Sequence, residues 1–447
     1  MPSVSVPWGK QEMEVPLPDN WSVQQVATSS LRGAPPDWPD RLAMSLNQPS
    51  SGIGLAKLLE ARPNGRIVII VEDMTRHSPT PEILQVLLRE IRHNRTENSQ
   101  IEIFFATGMH SPVTAQQVEA KLGPAADGIA WRCNPWADRS AYVCVGKTNG
   151  FDVFIDRGVV SADLRIIVSS VSPHMQAGFG GGYKMILPGC AHLDTIRGLH
   201  RLGLGRKARQ LAGMEGIDNP MRRAIDAGGQ LMDGVNGTSF AVQYLLDEQD
   251  LPSSVACGQA IPTQRMVAKQ CAVACGVVIP QPSDVLITNA HPRDYDLWQS
   301  FKCIANTLWA VRPGGVIICL SQCPAGTNGM RIPRWPISPG MTRRIIRMIG
   351  AEGLYSMLTR FVPSLAGDAA FFVRIALQTV QRNTILLVSP TLYSQGVKFP
   401  AIEVFETVQD AIAASQAIFG KGPQRAVVFP SGGITFPVVT SGLGTKA

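Results

Sequence analysis

Ile67-Val68-Ile69-Ile70-Val71 is an unbroken apolar run that ends in the polar tail Glu72-Asp73-Met74-Thr75-Arg76. A run of that length without polar alternation is the pattern of a strand in a parallel sheet covered on both faces. A helix follows, with Thr80 at the N-cap, Pro81 at the first helical position, and Ile83, Leu84, Leu87, Leu88 and Ile91 at helical spacing. The unit recurs over residues 101–106, a polar loop, and the capping-box pattern Thr114-Ala115-Gln116-Gln117. A third strand over 164–168 runs into a glycine-rich segment. Repeated strand, loop and helix predict a parallel α/β sheet with right-handed crossovers.

Upstream, residues 4–17 alternate about a turn at Trp8-Gly9-Lys10 and predict a hairpin. Downstream, the break Ile279-Pro280-Gln281-Pro282-Ser283 precedes further βα units, with strands over 285–288, 316–320, 385–388 and 426–429 and a helix over 297–311. The fold class predicted is α/β, with two α/β domains of parallel or mixed sheet, 1–279 and 280–447.

The length of 447 residues supports two or three domains with full cores, and 45% apolar with 17% charged residues excludes disordered and collagen-like classes. Lys and Arg number 41 against 34 Asp and Glu, a net +7 concentrated in knots at 197–209, Arg222-Arg223 and 343–347. Aromatics are only 6% and none of the knots carries a stacking pattern, so an anionic small molecule explains the excess better than nucleic acid. Nine widely spaced Cys without a CxxC pair predict reduced thiols in a cytoplasmic protein, with Cys271 and Cys275 in the core. Neither a secretory signal pattern nor an apolar stretch near the ~20 residues of a membrane span is present.

Ligands of open parallel sheets bind beyond the carboxyl ends of the strands. Three strands end in polar clusters there: Glu72 to His77, Ala106-Thr107-Gly108-Met109-His110-Ser111, and Ser170-Val171-Ser172-Pro173-His174. The third continues into Gly178-Phe179-Gly180-Gly181-Gly182-Tyr183-Lys184, glycines that allow close backbone approach and can present N–H groups to an anion. The segment matches neither a P-loop nor a dinucleotide fingerprint. Read alone it is a weak signal that fits a flexible surface turn better, with Lys184 a candidate for covalent or anion-binding duty. His110 and His174 reaching one cleft would supply paired acid and base near neutral pH. His200 lacks HExxH or His-x-His company and could ligate a metal only if other donors come from elsewhere. Gln299 and Lys302 share one face of a helix that is either solvated or opposite a carboxylate.

Together these elements resemble the nickel-pincer nucleotide-dependent lactate racemase family, in order and spacing over nearly the whole chain. The resemblance implies an active site in the cleft between two α/β domains. It implies a nickel pyridinium-3,5-bisthiocarboxylate mononucleotide tethered at Lys184 with His200 on nickel, the pincer itself supplying the missing donors. It makes Asp73, Met74, Thr75 and Arg76 cofactor-binding, His110 and His174 the catalytic acid and base, and Gln299 and Lys302 substrate-binding. The implied reaction is racemisation or epimerisation of a 2-hydroxy acid (lactate, malate or another) by reversible hydride transfer through a 2-keto acid, with cofactor-biosynthesis proteins as partners. Gly180, Tyr183 and Trp298 depart from residues common in the family and bear on pocket shape. Two other classes stand beside this one: a paralogue that binds an anionic nucleotide or hydroxy acid without turnover, and a basic nucleic-acid binder.

Overall fold

The computed structural model describes residues 2–94, 100–203, 210–214, 218–330, 332, 336–362, 370–420 and 422–440; positions 204–209 of the first basic knot lie outside them. The chain divides into two compact units. One comprises Leu31–Gly205 and Gly213–Ala274, the other Met1–Ser30, Arg206–Ala212 and Cys275–Ala447.

The first unit is built on a six-stranded sheet in the order Pro252–Gln259, Thr238–Leu246, Leu164–Ser170, Ile67–Val71, Ile101–Phe105, Ala130–Cys133. All neighbours are parallel except the antiparallel edge strand Pro252–Gln259. Ile67 pairs with both Ile101 and Leu164, so Ile67–Val71 is central. Its alternate residues enter different cores. Ile67, Ile69 and Val71 pack with the Thr80–Asn94 helix, while Val68 and Ile70 pack with Tyr183, Leu187, Leu199 and the Pro220–Val235 helix. Two covered faces account for the unbroken apolar run. The Thr114 capping box forms, its hydroxyl accepting from the Gln117 N–H and the Gln117 side chain accepting from the Thr114 N–H.

The second unit carries a six-stranded, wholly parallel sheet in the order Glu403–Phe405, Thr384–Val388, Val311–Leu320, Ser283–Asn289, Gln424–Phe429, Trp21–Val26. The hairpin forms as Ser3–Trp8 against Gln11–Pro16. Residues 1–30 therefore group with the C-terminal half of the chain and not with the rest of 1–279, because Trp21–Val26 extends the second sheet beside Gln424–Phe429. The helix predicted over 297–311 stops at Thr307, where a short 3₁₀ turn leads into the next strand. Among the described residues no helix is long and apolar enough to cross a membrane.

In two of the basic knots one arginine is absorbed by packing, while Arg223, Arg344 and Arg347 stay exposed. Arg222 is buried, and Arg343 is buried with its guanidinium on Glu403 Oε1 at 2.8 Å and on the Ala401 carbonyl. All nine cysteines are free thiols, and Cys271 and Cys275 are buried in the core.

In the Pro220–Val235 helix, Gly228 and Gly229 admit the side chains of Leu187 and Tyr183. A Cβ at Gly229 would lie 2.1 Å from the Tyr183 ring. Gly229→Ala should therefore destabilise the protein by about 1–3 kcal/mol in denaturant unfolding by pushing on the residue before Lys184. An unchanged midpoint would show that the ring is free to move aside.

Candidate active site

In the first unit the connections run from Ile67–Val71 out to Ile101–Phe105 and Ala130–Cys133, then return to Leu164–Ser170 on the opposite side. The reversal places a crevice between the carboxyl ends of Ile67–Val71 and Leu164–Ser170, the position at which such sheets bind ligands. Buried Glu72 spans it. Its Oε1 accepts from the Ser170 N–H at 3.2 Å and hydroxyl at 2.7 Å, and its Oε2 from Ser78 at 2.6 Å and Tyr244 at 3.1 Å. Four donors saturate this carboxylate, which ties the two strand ends together.

Asp73 is the next residue and faces the site. Its Oδ2 takes the His110 Nδ1–H at 2.5 Å, and its Oδ1 takes the Thr75 N–H at 3.0 Å and hydroxyl at 2.5 Å. Arg76 in turn donates to the Thr75 hydroxyl at 3.0 Å, and its carbonyl accepts from buried Lys121 at 2.6 Å. Burial pushes the Asp73 carboxyl up, but the bond and charge from His110 and the charge of Arg76 outweigh it and hold the group well below the usual carboxylate range. Met74 packs against the apolar core of the Thr80–Asn94 face.

Lys184 lies in the short 3₁₀ turn after the glycine loop and is partly buried; no side-chain hydrogen bond reaches its amine among the described residues. Burial, then the charges of Arg76 and Arg222, lower its pKa to about 7 against the pull of Asp73 and Glu72. His200 stands in the last turn of the Leu193–Leu202 helix. Burial and the charges of Lys184 and His110 lower its pKa to about 4, so it is a neutral imidazole near pH 7 and within electrostatic reach of both. Gln176 Nε2 donates to the His200 carbonyl at 3.5 Å and joins that turn to the His174 loop.

The glycine loop does not present a row of N–H groups to an anion. The Gly180 N–H donates to the Ser172 carbonyl at 2.8 Å and the Gly182 N–H to Gln243 Oε1 at 2.6 Å. Glycine is needed for another reason. Gly181 and Gly182 have φ of +76° and +60°, and Cβ atoms there would lie 2.4 Å from Gln243 and 2.9 Å from Gln264.

His174 follows the Leu164–Ser170 strand, and its Nδ1 accepts from the N–H groups of Gln176 at 3.2 Å and Ala177 at 3.1 Å. The structure thus brings Asp73, Thr75, Arg76 and His110 into one bonded group and sets Lys184 and His200 within its field. Gln299 and Lys302 are in the other unit, on the Leu297–Thr307 helix capped by Asp296, and the Lys302 ammonium donates to Gln299 Oε1. Glu72, Gln176, Arg222 and Gln243 also shape the site. Arg222 carried a readable signal, an arginine on the apolar stripe of its helix, whereas Gln243 sits in a strand the sequence reading did not place.

Residues 8–212 match the lactate racemase N-terminal domain family. The chain is 27% identical over 343 residues to lactate racemase of Thermoanaerobacterium thermosaccharolyticum, covering 75% of this chain and 78% of that one. It is 25% identical over 346 residues to lactate racemase of Lactiplantibacillus plantarum, covering 74% and 77%. The solved structure of the T. thermosaccharolyticum lactate racemase apoprotein shares the fold, with a TM-score of 0.80 at 22% identity over 98% of this chain and 100% of that one. A Thermotoga maritima protein superposes with a TM-score of 0.64 at 16% identity, covering 93% and 100%. Fold and sequence together define an α/β protein whose N-terminal half matches the lactate racemase N-terminal domain. More particularly, about three quarters of the chain is similar in sequence to the two lactate racemases.

The depressed pKa of Lys184 has a thermodynamic signature. The unfolded chain carries the proton that the folded chain has lost between about 7 and the ordinary 10.5, so stability rises with pH across that window. Below about 7 the folded state bears the full cost of a poorly compensated ammonium. Lys184→Met removes it, and in pH-resolved denaturant unfolding the variant should be more stable than the parent at about pH 6, with the difference closing by about pH 10. A difference that does not vary with pH would contradict the assignment.

Proposed function

We propose that the protein is a racemase or epimerase that inverts the α-carbon of a 2-hydroxy acid, using a nickel-pincer nucleotide carried on Lys184. The observation that carries this reading is the complementary state of two imidazoles on one sheet edge. His110 gives its Nδ1–H to Asp73, so in the neutral ring the lone pair is on Nε2; His174 accepts at Nδ1, so its proton is on Nε2. One ring is set as base and the other as acid.

The residues present suit the cofactor. A lysine lowered to about 7 keeps much of its amine neutral and able to form a covalent bond, and a histidine lowered to about 4 keeps its lone pair for a metal. Among the described residues no three His, Cys, Asp or Glu side chains gather into a metal site; His200 would hold a metal whose remaining donors belong to the cofactor. When bound, the pincer supplies the centre that takes up and returns the α-hydrogen with its electron pair. Lys184 and His200 would hold that group, and Thr75 and Arg76, ordered by Asp73, would bind its nucleotide through charge-assisted hydrogen bonds. His110 Nε2 takes the hydroxyl proton as the substrate becomes a planar 2-keto acid, while the bond to Asp73 fixes the ring's orientation. His174 gives its Nε2 proton to the carbonyl oxygen as the opposite enantiomer forms, and the proton held by His110 replaces it, so that both rings return to the neutral state. Gln299 and Lys302, in the second unit, are assigned to the substrate carboxylate. The free thiols support a reducing, cytoplasmic setting in which cofactor-biosynthesis proteins load the enzyme.

Cofactor-loaded enzyme incubated with enantiopure 2-hydroxy acids, lactate first because the relatives are lactate racemases, should erode optical purity of at least one. His110→Ala and His174→Ala should each slow that erosion by about 10²–10⁴-fold while leaving the Lys184 adduct in place. A loaded enzyme that binds hydroxy acids yet leaves every enantiomer intact would instead make the chain a binding paralogue.

A further inference from the structure

Arg222 is 1% exposed, yet the carboxylate nearest its charge is not its own. Asp226 lies 3.8 Å from Arg222 Nη1 and forms a closer ion pair with Arg265. The guanidinium is solvated instead by main chain: Nε faces the Ala177 carbonyl at 3.5 Å, Nη1 the Gly181 carbonyl at 3.2 Å, and Nη2 the carbonyls of Phe179 and, at 3.4 Å, Gly180. A buried charge of this kind adds little stability over an apolar residue of the same volume, so its contribution lies in geometry.

We infer that Arg222 is a positioning residue for Lys184: by gathering the carbonyls of Ala177, Phe179, Gly180 and Gly181 it fixes the loop from which the lysine's turn is built. That loop carries glycines at φ +75°, +76° and +60° (Gly178, Gly181 and Gly182) and would otherwise sample many conformations. Two more side chains hold it, Gln264 Nε2 on the Gly180 carbonyl at 2.9 Å and Gln243 Oε1 on the Gly182 N–H at 2.6 Å. The order passes directly to the lysine, whose own N–H donates to the Gly181 carbonyl at 3.3 Å. A lysine in place of Arg222 would keep the charge but has no planar fork to spread over four carbonyls. The charge acts in the same direction as the geometry. Burial, then Arg76 and Arg222, oppose protonation of Lys184, while Asp73 and Glu72 favour it.

The consequence for catalysis rests on the proposed role of Lys184, but the test does not, because it is made on cofactor-free protein. Amide hydrogen exchange over residues 177–184 and the rate of Lys184 acetylation by acetic anhydride at neutral pH, relative to the other lysines, are both read by peptide mass spectrometry. Arg222→Met should speed loop exchange by about tenfold or more and slow Lys184 acetylation about five- to tenfold as the amine regains its proton. Arg222→Lys should speed loop exchange similarly while acetylation stays near the parent rate, separating position from charge. Exchange in the Ile67–Val71 strand reports that the variant is folded. If Arg222→Met does not fold, Arg222→Lys and Gln264→Leu carry the test, the latter speeding exchange by a smaller factor. Folded variants with the parent's loop protection would overturn the inference, whatever becomes of the cofactor.

Discussion

At the candidate site the Lys184 amine has a positive field around it and no carboxylate of its own. Burial, then Arg76 and Arg222, press its proton off, and Asp73 and Glu72, which would hold it on, are already engaged. Glu72 answers four donors from Ser78, Ser170 and Tyr244, and Asp73 answers His110 and Thr75. An amine left this way costs folding stability, and functional sites are where folds accept such a cost. Burial, with the charges of Lys184 and His110, keeps His200 neutral, and the bond to Asp73 gives His110 a fixed tautomer, the states that the proposed roles of the three residues require.

The architecture delivers that arrangement through the alternation of one strand. Ile67–Val71 is covered on both faces, so the polar residues after it emerge at the sheet's carboxyl edge, beside Leu164–Ser170, where the chain reverses direction. The face that packs Val68 and Ile70 also receives Tyr183 and Leu187, which anchor the segment on either side of Lys184 against Gly228 and Gly229. Packing of the core and placement of the lysine are therefore one problem, solved by glycines in the Pro220–Val235 helix and not only by those in the loop.

Much of this was readable in the residues. Apolar runs such as 67–71 and 285–288 announce central parallel strands because burial on both faces removes the polar alternation, and the capping box at Thr114 is a local signal that tertiary structure leaves alone. Thr238–Leu246 was not readable, because Ser239 and Gln243 break its apolar pattern for reasons set by distant groups: Ser239 binds Asp233, and Gln243 binds Gly182. The pairing of Trp21–Val26 with Gln424–Phe429 joins residues about 400 positions apart and has no local signature. At the site, residue types and their order pointed to Lys184, His110 and His200, while the partner of His110 and the clamp on the glycine loop became visible only in three dimensions. The basic excess, first weighed as a field for an anionic ligand, is partly consumed by buried arginines that bind carbonyls and carboxylates.

The central claim is that Lys184 is the covalent anchor of a nickel-bearing nucleotide. It is tested most directly by isolating the protein from cells that make the cofactor, assaying nickel, and mapping the Lys184 peptide by mass spectrometry. The account predicts close to one nickel per chain and a Lys184 peptide heavier by the pincer nucleotide, both lost together in Lys184→Met. An unmodified Lys184 peptide in a sample that racemises a hydroxy acid would contradict it.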